Sequence, residues 1–232
     1  MRKIFNKINF DESKLPVATK RLVDGHRFYK INDIEYPSVT TVISATQKSE
    51  GLKKWRDKLG HEVADAELVR ASTRGTKMHT LIEEYITGRD ASIKDILPRG
   101  LFDRIRPELD KIDNIRLIEK TLYDPEILKM AGTVDCIAEY EGILSVIDFK
   151  SSNKYKRFEW CTNYFIQACA YSIMFNKINE EQQIEQIAIL IAGEDGTLCA
   201  YIKKIDPELI QEVQDISDQF YSDIMPNVDL TG

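Results

Sequence analysis

The sequence has no apolar run long enough to span a bilayer, and its opening residues, MRKIFNKINFDES, lack the apolar stretch and cleavage site of a secretory signal. A membrane or exported protein is thereby disfavoured, and a cytoplasmic one is expected. Cysteine is scarce: Cys136, Cys161, Cys169 and Cys199 never fall at C-x-x-C spacing. Reduced structural thiols are therefore expected rather than disulfides, a zinc cage or an iron–sulfur cluster. There is no repeat, low-complexity tract or long linker, so the chain reads as a single compact unit, with residues 1–60 as an N-terminal extension packed on a core of 61–232. Its 43% hydrophobic and 30% charged content is that of a folded globule. Excess positive charge is missing as well. The net charge of −6 argues at first against a polyanionic partner, but from Ile178 onward twelve acids face two lysines, a balance of −10, which leaves +4 on the first 177 residues.

What is present centres on AGTVDCIAEYEGILSVIDFKSS, residues 131–152, which reads as two strands about a Glu-Gly turn. A two-residue hairpin loop at Glu141-Gly142 sets Tyr140 opposite Ile143 and, at constant register, Asp135 opposite Asp148. Facing carboxylates destabilise a sheet. Side chains alternate along a strand, so Lys150 shares the face of Asp148 while Ile147 and Phe149 point into the core. Two carboxylates and an ammonium then converge, a set that a hard divalent cation would turn from repulsion into coordination. A solvent-facing sheet edge is the plainer alternative, and these strands are too apolar for it.

Around this hairpin the pattern predicts an N-terminal hairpin, HRFYKI and IEYPSV about Asn32-Asp33, then a short helix near 41–45 and a second over GLKKWRDKLG. Helical spacing runs from His61 to about Ile86, with STRGT as an interruption and Ser72 or Thr73 as a new cap. A helix within 101–112, a strand over IRLIEKTLY, the central hairpin, a helix over CTNYFIQACAYSIMF, two strands and a final helix from Pro207 to about Ile224 complete the order. The fold class expected is α/β, a mixed sheet flanked by helices with an N-terminal extension of hairpin and helices.

Further groups are candidates for the same site. His79 and Glu83 share a helix face. They could supply a nitrogen ligand and a water-orienting carboxylate, although such a pair alone describes an exposed polar face equally well. Gln167 and Tyr171 stand at the same spacing, where mutual structural satisfaction is as good a reading. Glu119 is either a supporting acid or an outward strand residue. Trp160 could stack on a base, with a place in the core the safer expectation. The run KSSNKYKR, with Lys154, Lys156 and Arg157, is either a solvated loop or a phosphate contact, and its nearness to the carboxylates favours phosphate.

Taken in order, RGTKMH with Glu83 four residues after His79, then GTVD, DFK and QACAY, resemble the RecB-like branch of the PD-(D/E)XK nuclease superfamily. YPSVTTVIS and GLKKWRDKLG are similar to the N-terminal part of single-strand-directed exonucleases of the mitochondrial genome maintenance type, with phage and bacterial relatives. The resemblance covers roughly residues 37–171. It implies a restriction-endonuclease-like fold and a metal-dependent DNA exonuclease acting on single strands or strand ends, in the cytoplasm of a bacterial or phage-infected cell. A structure-selective endonuclease and a non-catalytic DNA-end binding module are the alternatives. By position, His79, Asp135, Asp148 and the Phe149 carbonyl match the ligands of Mg²⁺ or Mn²⁺. Asp135, Asp148 and Lys150 match the catalytic groups, with Glu83 assisting. Arg74, Lys154, Lys156, Arg157, Gln167 and Tyr171 are expected toward nucleic acid. The usual acid-x-lysine stands as Asp148-Phe149-Lys150. The flanking cysteines of cluster-bearing relatives are missing, so no iron–sulfur cluster is expected. No membrane partner is expected, and protein partners are not legible.

Overall fold

The computed structural model describes residues 3–23, 25–47 and 50–228. Near the N-terminus, β1 (Thr19–Val23), β2 (His26–Ile31) and β3 (Ile34–Pro37) form an antiparallel sheet. The β2–β3 turn is the one expected: Asn32 and Asp33 both take positive φ, as a tight hairpin requires. Strand β1 had no signal strong enough to predict it. Ser38 then caps α1 (Val39–Thr46), its Oγ accepting from the Thr41 amide at 3.0 Å. Helices α2 (Glu50–Leu59) and α3 (His61–Ile86) follow.

Helix α3 corrects one expectation, because it runs through STRGT without a break. Ser72 and Thr73, the expected caps of a new helix, lie inside α3, and the hydroxyls of Thr76 and Thr80 bond back to the carbonyls of Ser72 and Thr76, each at 3.1 Å. Gly75 sits against the sheet: a Cβ there would lie 3.6 Å from Ser151 Oγ. Tertiary packing thus overrides the weak local propensity of this stretch. Helix α4 (Ile96–Leu109) begins earlier than expected and tolerates Pro107 in its last turn.

The main sheet holds β4 (Ile112–Asp124), β5 (Met130–Tyr140) and β6 (Ile143–Ser152), then, after α5 (Thr162–Ile178), β7 (Gln186–Gly193) and β8 (Leu198–Lys204), with α6 (Pro207–Gln219) last. Its order is β4-β5-β6-β7-β8, with β6 and β7 parallel across the α5 crossover and every other pair antiparallel. This is the mixed, helix-flanked α/β architecture expected. Residues such as Val146, Ile189 and Leu144 bury one face against α1, α5 and α6, while Ile147, Phe149 and Leu190 bury the other against α3 and α4. A sheet covered on both faces explains the near-continuous apolar run of β7.

The N-terminal segment is built into this core. Strand β4 shifts register between Asp113 and Leu117, which frees the backbone of Ile115, and Ile8 N–H and Asn6 C=O satisfy it at 2.8 and 2.9 Å. Tyr29, Ile31 and Tyr36 of the small sheet pack on Ala131 at the start of β5. All four cysteines are free and buried. Among the described residues no helix is long and apolar enough to cross a membrane.

Candidate active site

The site grows from the place where the central hairpin opens. Glu141 and Gly142 both have positive φ, and β5 pairs with β6 from Tyr140↔Ile143 to Cys136↔Ile147, in the register the two-residue loop dictates. The next pair would be Asp135 and Asp148, and there the ladder stops. Strand β5 continues only against β4, and β6 only against β7. The expected face-to-face pair is therefore replaced by a fork. The physical reason is charge: two carboxylates at cross-strand distance repel, and parting the strands lets each find its own partner. Asp135 Oδ2 accepts from the Phe149 amide at 2.8 Å, across the fork.

His79, on α3, reaches the fork from the Phe149 side of the sheet. Its Nε2 lies 2.7 Å from the Phe149 carbonyl oxygen, and its Nδ1 lies 3.6 Å from both Glu119 and Asp135. Burial opposes a proton on this imidazole, but Asp135 and Glu119 outweigh it and raise the pKa to about 9. Glu119 is exposed and sits on an unusual backbone: its φ of 49° interrupts the ladder between the pairs Ile118↔Cys136 and Lys120↔Val134. Ligand atoms of His79, Glu119 and Asp135 all lie within 4.8 Å of one another.

Asp148 does not join that trio. It is 2% exposed, and Lys150 Nζ lies 2.6 Å from its carboxylate oxygens. Burial lifts the Asp148 carboxyl above its ordinary range even against the pull of Lys150, and the Asp135 charge adds to the rise. Burial disfavours the Lys150 ammonium too, but Asp148 and Asp135 more than offset it, so the lysine stays charged.

A cavity of about 430 Å³ opens over the trio, and Lys150, Gln167, Tyr171 and Glu83 line it as well. Gln167 and Tyr171 both face this cavity, and Tyr171 is almost fully buried. Gly132 makes this possible: a Cβ there would lie 2.6 Å from Tyr171 Oη. Glu83 stands at the rim, where Arg89 holds it at 2.6 Å, away from the trio. Arg74 is corrected outright. It is 5% exposed and paired with Glu194, so it serves the packing of α3 and is not presented to a ligand. Lys154 and Arg157 are exposed, whereas Lys156 donates to Tyr164 Oη at 2.6 Å. Trp160 is 58% exposed and not in the core.

Lys20 and Arg27, from the small sheet, form the opposite wall of the cavity. Nothing in the sequence marked them, because more than a hundred residues separate them from the aspartates. Glu119 carried a faint signal, an acid interrupting an apolar strand.

Fold and site together define an α/β protein with a carboxylate–histidine centre beside a buried aspartate–lysine pair at the mouth of a forked mixed sheet. No protein-family model matches the chain. Its sequence relatives include mitochondrial genome maintenance exonuclease 1 of Homo sapiens, 27% identical over 188 residues (76% of this chain, 54% of the relative), and of Xenopus tropicalis, 28% identical over 172 residues (69% and 49%). This agrees with the PD-(D/E)XK-like exonuclease resemblance of the motifs. The chain spans about half the length of the curated relatives it matches. Among solved structures, a Eubacterium rectale protein provisionally named an exonuclease is similar at a TM-score of 0.46 and 12% identity, over 68% of this chain and 65% of that one.

Proposed function

We propose that the chain is a divalent-metal-dependent deoxyribonuclease that removes nucleotides from single strands or strand ends. The observation that carries this is the convergence of His79, Glu119 and Asp135 within 4.8 Å, beside a buried Asp148–Lys150 pair, in an open cavity. Among the described residues no lysine or arginine is ion-paired to Glu119 or Asp135, so their counter-charge in the metal-free protein is the His79 imidazolium, whose proton a bound cation would displace. Two carboxylates and an imidazole are oxygen and nitrogen donors that suit Mg²⁺ or Mn²⁺, the imidazole favouring Mn²⁺ over an all-oxygen site. His79, Glu119 and Asp135 would hold the ion, with the Phe149 carbonyl adjacent. When bound, it polarises the scissile phosphate and lowers the pKa of a water.

The remaining work falls to the protein's own groups. Lys150 is held charged at the cavity wall, where it positions the attacking water or meets charge developing on the phosphate. Asp148 fixes that ammonium in place. The Phe149 amide holds Asp135, which leaves its second oxygen directed at His79. A cavity of this size accepts the phosphate and sugar of one strand more readily than a duplex.

The test is digestion of end-labelled linear and circular oligonucleotides, single- and double-stranded, with Mg²⁺, Mn²⁺ or chelator. Metal-dependent shortening of linear single strands, with circles left intact, is expected. Cut circles would make the chain an endonuclease of the same chemistry, and no loss of any substrate with either metal would overturn the nuclease reading.

A further inference from the structure

The chain has twenty-one aromatic residues, two Trp, ten Tyr and nine Phe. Their exposed members are Tyr155 (50%), Phe158 (42%) and Trp160 (58%), all within six residues of one loop that begins just after β6 and Lys150. Scattered exposed apolar residues need no explanation, but rings gathered in one place do.

The loop is pinned from several sides. The Tyr155 amide donates to Asp195 at 2.7 Å, Tyr201 Oη donates to the Lys156 carbonyl at 2.7 Å, and the Phe158 ring packs on Phe165 and Tyr201 at 5.0 and 5.5 Å. The rings are thus held out on a fixed support, so binding would cost little ordering entropy. The Arg157 guanidinium lies over the Trp160 ring at 5.5 Å, and the residue stays more than half exposed. From 153 to 161 the loop carries three cations against one acid, Glu159.

The loop also touches the active centre. The Tyr164 ring lies beneath two ammonium groups, Lys156 at 4.6 Å and Lys150 at 5.1 Å. One ring therefore links the loop to the lysine that holds Asp148.

We propose that Tyr155 and Trp160, with Arg157, form a stacking platform for unpaired nucleobases, set beside the reacting phosphate. This rests on the nuclease reading and adds to it a site for the base, which the carboxylate centre does not touch. Base–aromatic stacking tolerates any sequence, because every base has a π-face. Bases inside a duplex are already stacked, so the platform selects single strands and frayed ends through the base and not through the phosphate. A protein partner could also take exposed rings; the interleaved cations and the link to Lys150 favour nucleic acid.

Trp160 can be its own reporter, because Trp55 is the other tryptophan. In a Trp55→Phe background, with Ca²⁺ in place of Mn²⁺, oligo(dT) is titrated against an abasic oligomer of equal length and charge. Oligo(dT) should quench the Trp160 emission and the abasic oligomer should not. By anisotropy, Trp160→Ala should weaken oligo(dT) binding about ten-fold. Abasic binding should stay unchanged, Trp160→Phe should restore most of the loss, and the thermal melt should not move. Equal binding of oligo(dT) and the abasic oligomer, or unaltered oligo(dT) binding by Trp160→Ala, overturns the platform, while cleavage with Mn²⁺ in the same preparation leaves the nuclease reading standing. A wild-type protein that neither binds nor cleaves overturns both.

Discussion

Lys150 and Asp148 show how one pair can serve stability and chemistry together. Both are largely withdrawn from water and lie 2.6 Å apart. Removing one partner of such a pair leaves a buried charge alone, at a cost of about 3–5 kcal/mol. Asp148→Ala should therefore abolish cleavage and also lower stability by about 3 kcal/mol. Asp148→Leu combined with Lys150→Met should be equally inactive but clearly more stable than either single change. Urea unfolding of the set checks this, and additive losses in the double variant would mean that the two residues act separately. Repulsion between facing aspartates alone would give Asp148→Ala the opposite sign, but the charge bonded to Asp148 is Lys150, two residues along its own strand.

At the scale of elements, glycine and capping residues position whole strands. Gly132 lets β5 pass close to Tyr171 of α5, and an added Cβ would fall 2.6 Å from the Oη of that buried ring. Gly132→Ala should cost about 1–3 kcal/mol and cut turnover, since Tyr171 and Gln167 line the cavity. A crystal structure or thermal melt identical to the parent would refute this. At the end of β4, Asp124 is fully buried, accepts from the amides of residues 126–128 and pairs with Lys177 at 2.8 Å. Burial alone would raise its pKa, but Lys177 and these amides outweigh it and hold the pKa below the usual 3.8. A carboxylate depressed on folding stabilises above its unfolded pKa, and that contribution is lost as pH falls through the folded value. Asp124→Asn should thus be less stable by about 3 kcal/mol at neutral pH, and the gap should close below about pH 4. A gap independent of pH would show that shape, not charge, holds this turn. The elements differ in how far the sequence revealed them. The Glu141-Gly142 and Asn32-Asp33 hairpins were legible because positive-φ turns fix register locally. The unbroken α3 was not, because Ser72, Thr73 and Gly75 read as a break and only packing against β6 overrides them. Glu119 was legible only as an acid interrupting an apolar strand, and the Lys20–Arg27 wall was not legible at all, since tertiary folding alone brings them to the fork.

For the whole molecule, charge is sorted. The acidic stretch after Ile178 contrasts with a cavity whose walls carry Lys20, Arg27 and Lys150. On α2, Arg56 is already paired with Asp65. Phosphate contacts on a single strand change the slope of log affinity against log salt by about 0.7 each. Neutralising Lys20 and Arg27 together should flatten that slope by about 1.4, whereas Lys203→Gln with Lys204→Gln on β8 should leave it unchanged. Anisotropy across a salt series in Ca²⁺ reads both, and equal slopes for all variants would remove the small sheet from the strand's path. The fork has a mechanical consequence too. Beyond Cys136↔Ile147 the donors divide between two half-sheets, Asp135 and Glu119 riding with β4–β5 and the Phe149 carbonyl with β6–β7. The cage proposed for the ion would then be a caliper whose jaws are those half-sheets and whose pivot is the hairpin, and any breathing of the sheet would be transmitted to its grip.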